Sequence, residues 1–193
     1  MPVRDTLRYH LGRAAQDVLR ALGASVTWTN KANAAITLDA APGPLTKELM
    51  VLGNMQVEEE ARPFFIPSQA GLLAQITTKA LTTDVATITT RLAHELVTGL
   101  QVYIRLDTAD AVFDGYQIIT TVPTTTTFTF AKVNADVTSV AATGYARTII
   151  NIGDRITFES VTYEIRRVGN ADGLWAGYEL ETVREQAVKI GVG

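Results

Sequence analysis

Apolar and polar residues alternate with a period of two along most of this chain, and with a helical period only at its start. Leu7, Leu11, Ala14, Val18 and Leu22 recur at helical spacing and form one apolar stripe. Arg4, Arg8, Arg13, Asp17 and Arg20 fall mostly off that stripe. Asp5 or Thr6 offers an N-cap and Gly23 a stop, so the pattern predicts a helix up to Leu22. Val26 and Trp28 then alternate with Thr27 and Thr29 as a half-buried strand, and "AAITLD" reads as its hairpin partner across the turn "NKAN". Pro42-Gly43-Pro44 breaks regular structure. From it, a long loop over 39–54 is expected, holding only a short turn at "TKELMVLG". "MQVEEEARPFFIPSQAG" reads as a strand that Pro63 and Pro67 assign to an edge or an exit, not to a sheet centre.

From about Ile76 to Thr148 the pattern changes character. That window holds 19 of the 27 threonines, arranged as Thr alternating with apolar residues in "TTDVATITT", "QVYIRL" and "TTTTFTF". Val102, Ile104 and Leu106 share one strand face, Phe128 and Phe130 another, with a turn at Asp114-Gly115. Short strands at close spacing with little helical signal predict a small β-sandwich of immunoglobulin-like size. After it the chain returns to its earlier style. Ile156 and Phe158, then Val161, Tyr163 and Ile165, alternate across the tight turn in "FES", and Trp175, Tyr178 and Leu180 lie on a further strand. Trp28 and Trp175 are expected to anchor the core. The reading is a mainly β chain: a discontinuous β domain over 1–75 plus 149–193 with an N-terminal helix, interrupted by a Thr-rich module at 76–148.

Bulk composition sharpens this. At 193 residues, 47% hydrophobic and 19% charged, the chain buries a core and is not a disordered segment. A net charge of −3 supplies no basic field for avid non-specific DNA binding. The absence of cysteine removes disulfides, zinc thiolates and thiol nucleophiles. No apolar run reaches the roughly 18–20 residues of a membrane-spanning helix, and no signal-peptide pattern opens the sequence.

Candidate chemistry is sparse. No P-loop, GxGxxG, GxSxG or HExxH motif occurs, and two histidines exclude a three-histidine metal site. His10 reads as a helix-surface or interface residue and His94 as a turn residue beside a strand, neither as an acid or base. Asp107, Asp110 and Asp114 cluster in a loop, but without the spacing or the terminal glutamate of an EF-hand. Glu58 and Glu60 share a strand face, where they bind a cation, repel DNA phosphates or, as a solvated edge, guard against aggregation. No cofactor or metal is expected, and no catalysed reaction.

Without the Thr-rich window, the order of segments is a helix, "ASVTWT", "AAITLDAAPG", "RPFFIPSQAG" and "IGDRITFESVTYEIRRVG…YELETVR". This order resembles the head-closure, or stopper, proteins of tailed-bacteriophage necks, with "GDRITFESVTYEIRRV" and "FFIPS" carrying most of the likeness. The window itself is similar to immunoglobulin-like modules that decorate phage tail and neck proteins, although Glu95 follows Ala93-His94 where the common pattern has glycine. The resemblance implies a small β-barrel or sandwich with an N-terminal helix for the flanking domain, and a structural virion protein at the head–tail junction, made in the host cytoplasm. Six or twelve copies would form a ring between portal or adaptor and tail terminator or tail tube. DNA would pass through the lumen without specific binding, and no membrane is involved. A tail terminator or baseplate accessory protein is the alternative. Leu45, Lys47, Met50 and Leu52 of the 39–54 segment, with Arg8 and Arg20 of the helix, become expected subunit or partner contacts. Glu58 and Glu60 become channel-facing candidates.

Overall fold

The computed structural model describes residues 23–52, 55–69, 71–170 and 177–184. The expected N-terminal helix with Arg8, His10 and Arg20 lies outside them, as do Trp175 and the tail beyond Arg184. All helix and strand structure among the described residues is β. In chain order the strands are β1 (Ala24–Thr29), β2 (Ala35–Pro42), β3 (Thr46–Leu52), β4 (Met55–Pro67), β5 (Leu73–Thr82), β6 (Val85–Thr90) and β7 (Gln101–Leu106). They continue with β8 (Gly115–Thr124), β9 (Thr127–Ala131), β10 (Val137–Thr148), β11 (Arg155–Phe158), β12 (Val161–Asn170) and β13 (Gly177–Arg184). The chain divides into two compact units. One draws on residues up to Trp28, on Asp39–Pro67 and on the chain from Asn151 onward; the other on Thr29–Leu38 and Ser68–Ile150.

The first unit is organised by a sheet in the order β13-β12-β11-β1-β2-β4-β3, with an additional pairing of β13 to β4. That pairing joins the two ends of a six-strand run, so the strands form a closed circuit from which only β3 branches. The alternation read from the sequence places the core correctly. Val26, Trp28, Ile156, Ile165 and Leu180 are buried, and Phe64 packs edge-on against Phe158 and Tyr163 at 5.9 and 5.6 Å. The turn between β11 and β12 is two residues long, Glu159-Ser160, both with positive φ. This twist suits a tight hairpin. The expectation for β4 needs correction. It is a central strand 13 residues long, paired on both sides. Its prolines are tolerated because its partners change along its length: β3 covers Met55–Ala61, and β13 takes over from Ala61 to Pro67. Pro63 therefore sits beyond the reach of β3, and its carbonyl accepts a hydrogen bond from Gly43 N at 2.8 Å.

In the second unit the Thr-rich strands form a closed barrel, β10-β5-β6-β9-β8-β7, in place of the expected two-sheet sandwich. Closure follows from two strands that change or double their partners. β10 pairs with β5 on one side and β7 on the other, and β8 pairs with β7 over Gly115–Ile118 before turning to β9. Register shifts in both strands supply the local bend that lets a sheet curl onto itself. Ile88, Phe128 and Phe130 point inward and are buried. Their Thr neighbours alternate to the opposite face and pair across strands, Thr87 with Thr129 and Thr89 with Thr127, and Thr129 is itself buried. The hydroxyl of Thr129 also meets those of Thr120 and Thr121 at 3.0 and 2.8 Å.

Two polar groups are built into this barrel. Lys79 lies opposite the inward-facing Ile88, ion-paired with Asp110 and 5.2 Å from the Phe113 ring centroid. The hydrogen bond from Lys79 holds the Asp110 carboxyl below the usual carboxylate range, against the opposing effect of burial. Asp110 also accepts from Val112 N, while Asp114 accepts from Leu106 N and Asp110 N. The aspartates at 110 and 114 thus shape their own loop.

His94 lies in the connection between β6 and β7, beside a strand as its local sequence suggests, and it is buried there: it is 1% exposed, edge-on to Phe128 at 5.6 Å. Its Nδ1 accepts Leu96 N–H at 2.9 Å, and its buried Nε2 makes no hydrogen bond. Burial lowers its pKa below the ordinary 6.5, outweighing a nearby backbone group of Thr127 that acts the other way. The unfolded chain therefore binds a proton that the folded chain refuses. Stability is full above pH 6.5 and falls as pH drops below it, by up to about 1.4 kcal/mol per unit until the folded pKa is reached. In His94→Asn, whose side chain keeps an acceptor for Leu96 N–H but does not titrate, the fall in stability below pH 6.5 should be shallower than in the parent. Denaturant unfolding across pH measures it; equal slopes in both proteins would exclude His94 as the source.

Candidate assembly interface

The segment 39–54 is not the expected loop. β2 continues to Pro42, a short connection carries the exposed Leu45, and β3 begins at Thr46. What converts "TKELMVL" into a strand is its partner. Thr46 to Leu52 pair residue for residue with Ala61 back to Met55. The sequence held a signal for this in Gly53-Asn54, a dipeptide suited to a two-residue hairpin connection between Leu52 and its opposite, Met55.

Beyond Ala61 this hairpin leaves the closed circuit. Among the described residues, Met55–Glu60 of β4 pair only with β3, and β3 pairs only with β4. The result, among the described residues, is a two-stranded arm, Thr46 to Glu60, that no third strand joins. In register Leu52 pairs with Met55, Val51 with Gln56, Met50 with Val57, Leu49 with Glu58, Glu48 with Glu59 and Lys47 with Glu60. A two-stranded ribbon has no interior of its own and is marginal in water unless something packs on it. Unpaired N–H and C=O groups along its edges are a template for another strand.

The base of the arm is held by charge. Thr46 Oγ1 donates to Ala61 O at 3.1 Å, Lys47 lies 3.8 Å from Glu60, and Arg184 donates to Glu60 at 2.6 Å. The Arg184 hydrogen bond holds the Glu60 carboxyl below its usual range, and Glu60 in turn raises Arg184. Lys47, Met50, Leu52, Glu58 and Glu60 thus all fall on the arm, with Leu45 at its root, whereas Glu60 is engaged by two cations rather than standing alone. Arg8 and Arg20 lie outside the described residues. Sequence reasoning missed Met55 and Val57 as arm residues and Arg184 as the clamp on Glu60. No family model matches this chain, and no curated protein or solved structure is found similar to it.

Proposed function

We propose that this protein is a structural component of a tailed-phage neck. Copies join into a ring, six- or twelve-fold, between portal or adaptor and the tail, closing the DNA exit and offering the tail its attachment site. The observation that carries the reading is the β3–β4 arm. Among the described residues it extends two strands that no third strand joins from a unit whose other strands are taken up in a closed circuit, an arrangement suited to adding strands from a neighbouring subunit. A protein acting through assembly fits these features, and the likeness of the flanking segments to stopper proteins agrees with it. In this reading residues 76–148 are an inserted module. The ends of the barrel segment are paired, Leu73 opposite Arg147, with Thr148 Oγ1 donating to Gly71 O at 2.5 Å. A module whose two ends meet in this way enters a host domain without separating its strands.

Gold-labelled antibody raised against the Thr-rich barrel, applied to intact virions in the electron microscope, tests the reading. Label at the head–tail junction is the expected result. Label along the tail or at its tip would replace it with a tail-terminator or baseplate role.

A further inference from the structure

The connection from β6 to β7, residues 91–100, is irregular, and one side chain holds its middle down. His94 N donates to Thr125 O in the β8–β9 turn at 3.0 Å, and His94 O accepts from Gly71 N at 2.7 Å. His94 Nδ1 accepts from Leu96 N at 2.9 Å. Inside that last bond stands Glu95, a non-glycine residue with φ +54°. Such a backbone is disfavoured for a residue with a side chain and persists where its surroundings enforce it. The bond from Leu96 N–H to Nδ1 closes the turn around Glu95, and Leu96 is itself buried. The ends of the connection are fastened separately, Thr90 by Thr126 O, and Gly99 by Ile119 O and the Asn30 side chain.

Because Nδ1 accepts a hydrogen bond, the neutral ring carries its proton on Nε2, which is buried and makes no hydrogen bond. A further proton has only Nδ1 to bind. It turns that atom from acceptor into donor, sets it against the Leu96 N–H, and leaves a buried cation. Among the described residues no carboxylate pairs with the ring. β9 brings Phe128 and the backbone of Thr127, the β8–β9 turn brings Thr125, and the segment before β5 brings Gly71. None of these ionises, and the ionisable neighbours in sequence, Arg91 and Glu95, are exposed. We propose that His94 is an acid-operated catch on this connection. Protonation at Nδ1 releases Leu96 N–H, frees Glu95 to leave its left-handed backbone and carries the imidazolium out to water. Ala93–Leu96 then lifts away and uncovers Leu96 and the part of Phe128 that His94 covers. The ladder of the barrel does not pass through this segment: β6 pairs with β5 and β9, and β7 with β8 and β10. Opening is therefore local, with the barrel still closed, and an apolar surface is shown only in acid. The catch stands or falls apart from the neck assignment.

Amide hydrogen exchange of the full chain, followed by NMR across pH and corrected for the intrinsic rate, tests this. Protection of the Leu96 and Gly71 amides should be constant above about pH 6.5, the ordinary imidazole value, and fall below it by up to about tenfold per pH unit. The paired amides of β7 and β9 should keep their protection over the same range. In His94→Asn, where nothing titrates at this position, the Leu96 and Gly71 amides should stay protected as pH falls. Parent protection at Leu96 and Gly71 that is flat with pH, or that falls only in step with β7 and β9, overturns the inference. The same fall in His94→Asn overturns it too. The parent profile decides the matter by itself if the variant does not fold.

Discussion

Gly144→Ala should unfold the Thr-rich barrel, lowering its stability by about 3–5 kcal/mol from backbone strain and overpacking together. Gly144 has φ +152° and lies on β10 at the point where that strand pairs on both sides, opposite Ile76 on β5 and Leu106 on β7. A Cβ there would sit 2.3 Å from Arg105 O and 2.7 Å from Leu106 Cα. Both obstacles are backbone, so no rotamer change relieves them. Relief requires β10 to move away from β7, which opens the barrel. Amide hydrogen exchange should show protection lost in β7 and β10 and kept in β11 to β13. The matched change in the first unit is Gly177→Ala. Its Cβ would lie 2.0 Å from Ile66 O, and the exposed amides should then be those of β13 and β4. A Gly144→Ala protein within about 1 kcal/mol of the parent would mean that the closure of the barrel does not depend on this close approach.

Removing the arm should abolish assembly while leaving both units folded. Replacing residues 48–59 by Asn-Gly keeps Lys47 opposite Glu60 and closes the shortened hairpin with a turn that suits it. The circuit of strands in the first unit is untouched, since β13 meets β4 only from Ala61 onward. In the proposed ring, loss of this strand pair should weaken self-association by about a hundredfold or more, equivalent to roughly 2.7 kcal/mol or more. Light scattering on a sizing column and negative-stain images of rings provide the measurement, with circular dichroism confirming retained β structure. A shortened protein that forms the same oligomers as the parent would show that the arm is not the joint between copies.

His94 and Glu60, two of the pH-sensitive groups, act through different physics. His94 loses stability to acid because burial excludes its charged form. Glu60, at the exposed foot of the arm, is held low by the hydrogen bond from Arg184. What it contributes is therefore present above the ordinary carboxylate pKa and disappears as pH falls through its lowered value. Salt should weaken the Glu60 contact and leave the His94 effect largely unchanged.

Local pattern determined much of this protein. Period-two alternation was sufficient to identify strands at Val26–Trp28, Val102–Leu106, Phe128–Phe130 and Ile156–Ile165, and to tell which of their residues face a core, because a pleated strand turns successive side chains to opposite sides. It also sufficed for the tight turn after Phe158 and for the mainly β character of the chain. Everything that depended on a distant partner was decided by tertiary structure. Whether the Thr-rich strands made a sandwich or a barrel turned on β10 and β8 sharing themselves between neighbours. Whether 46–52 was a loop or a strand turned on Met55–Ala61 lying opposite. Pro63 was admissible in a central strand because β3 had already ended, and His94 was buried because Phe128, far along the sequence, packs on it. The physical reason is common to all four. Side-chain alternation is a property of one strand and can be read from its own residues. Pairing, register and closure are properties of two strands brought together across the chain, and their hydrogen bonds leave no mark on either sequence alone.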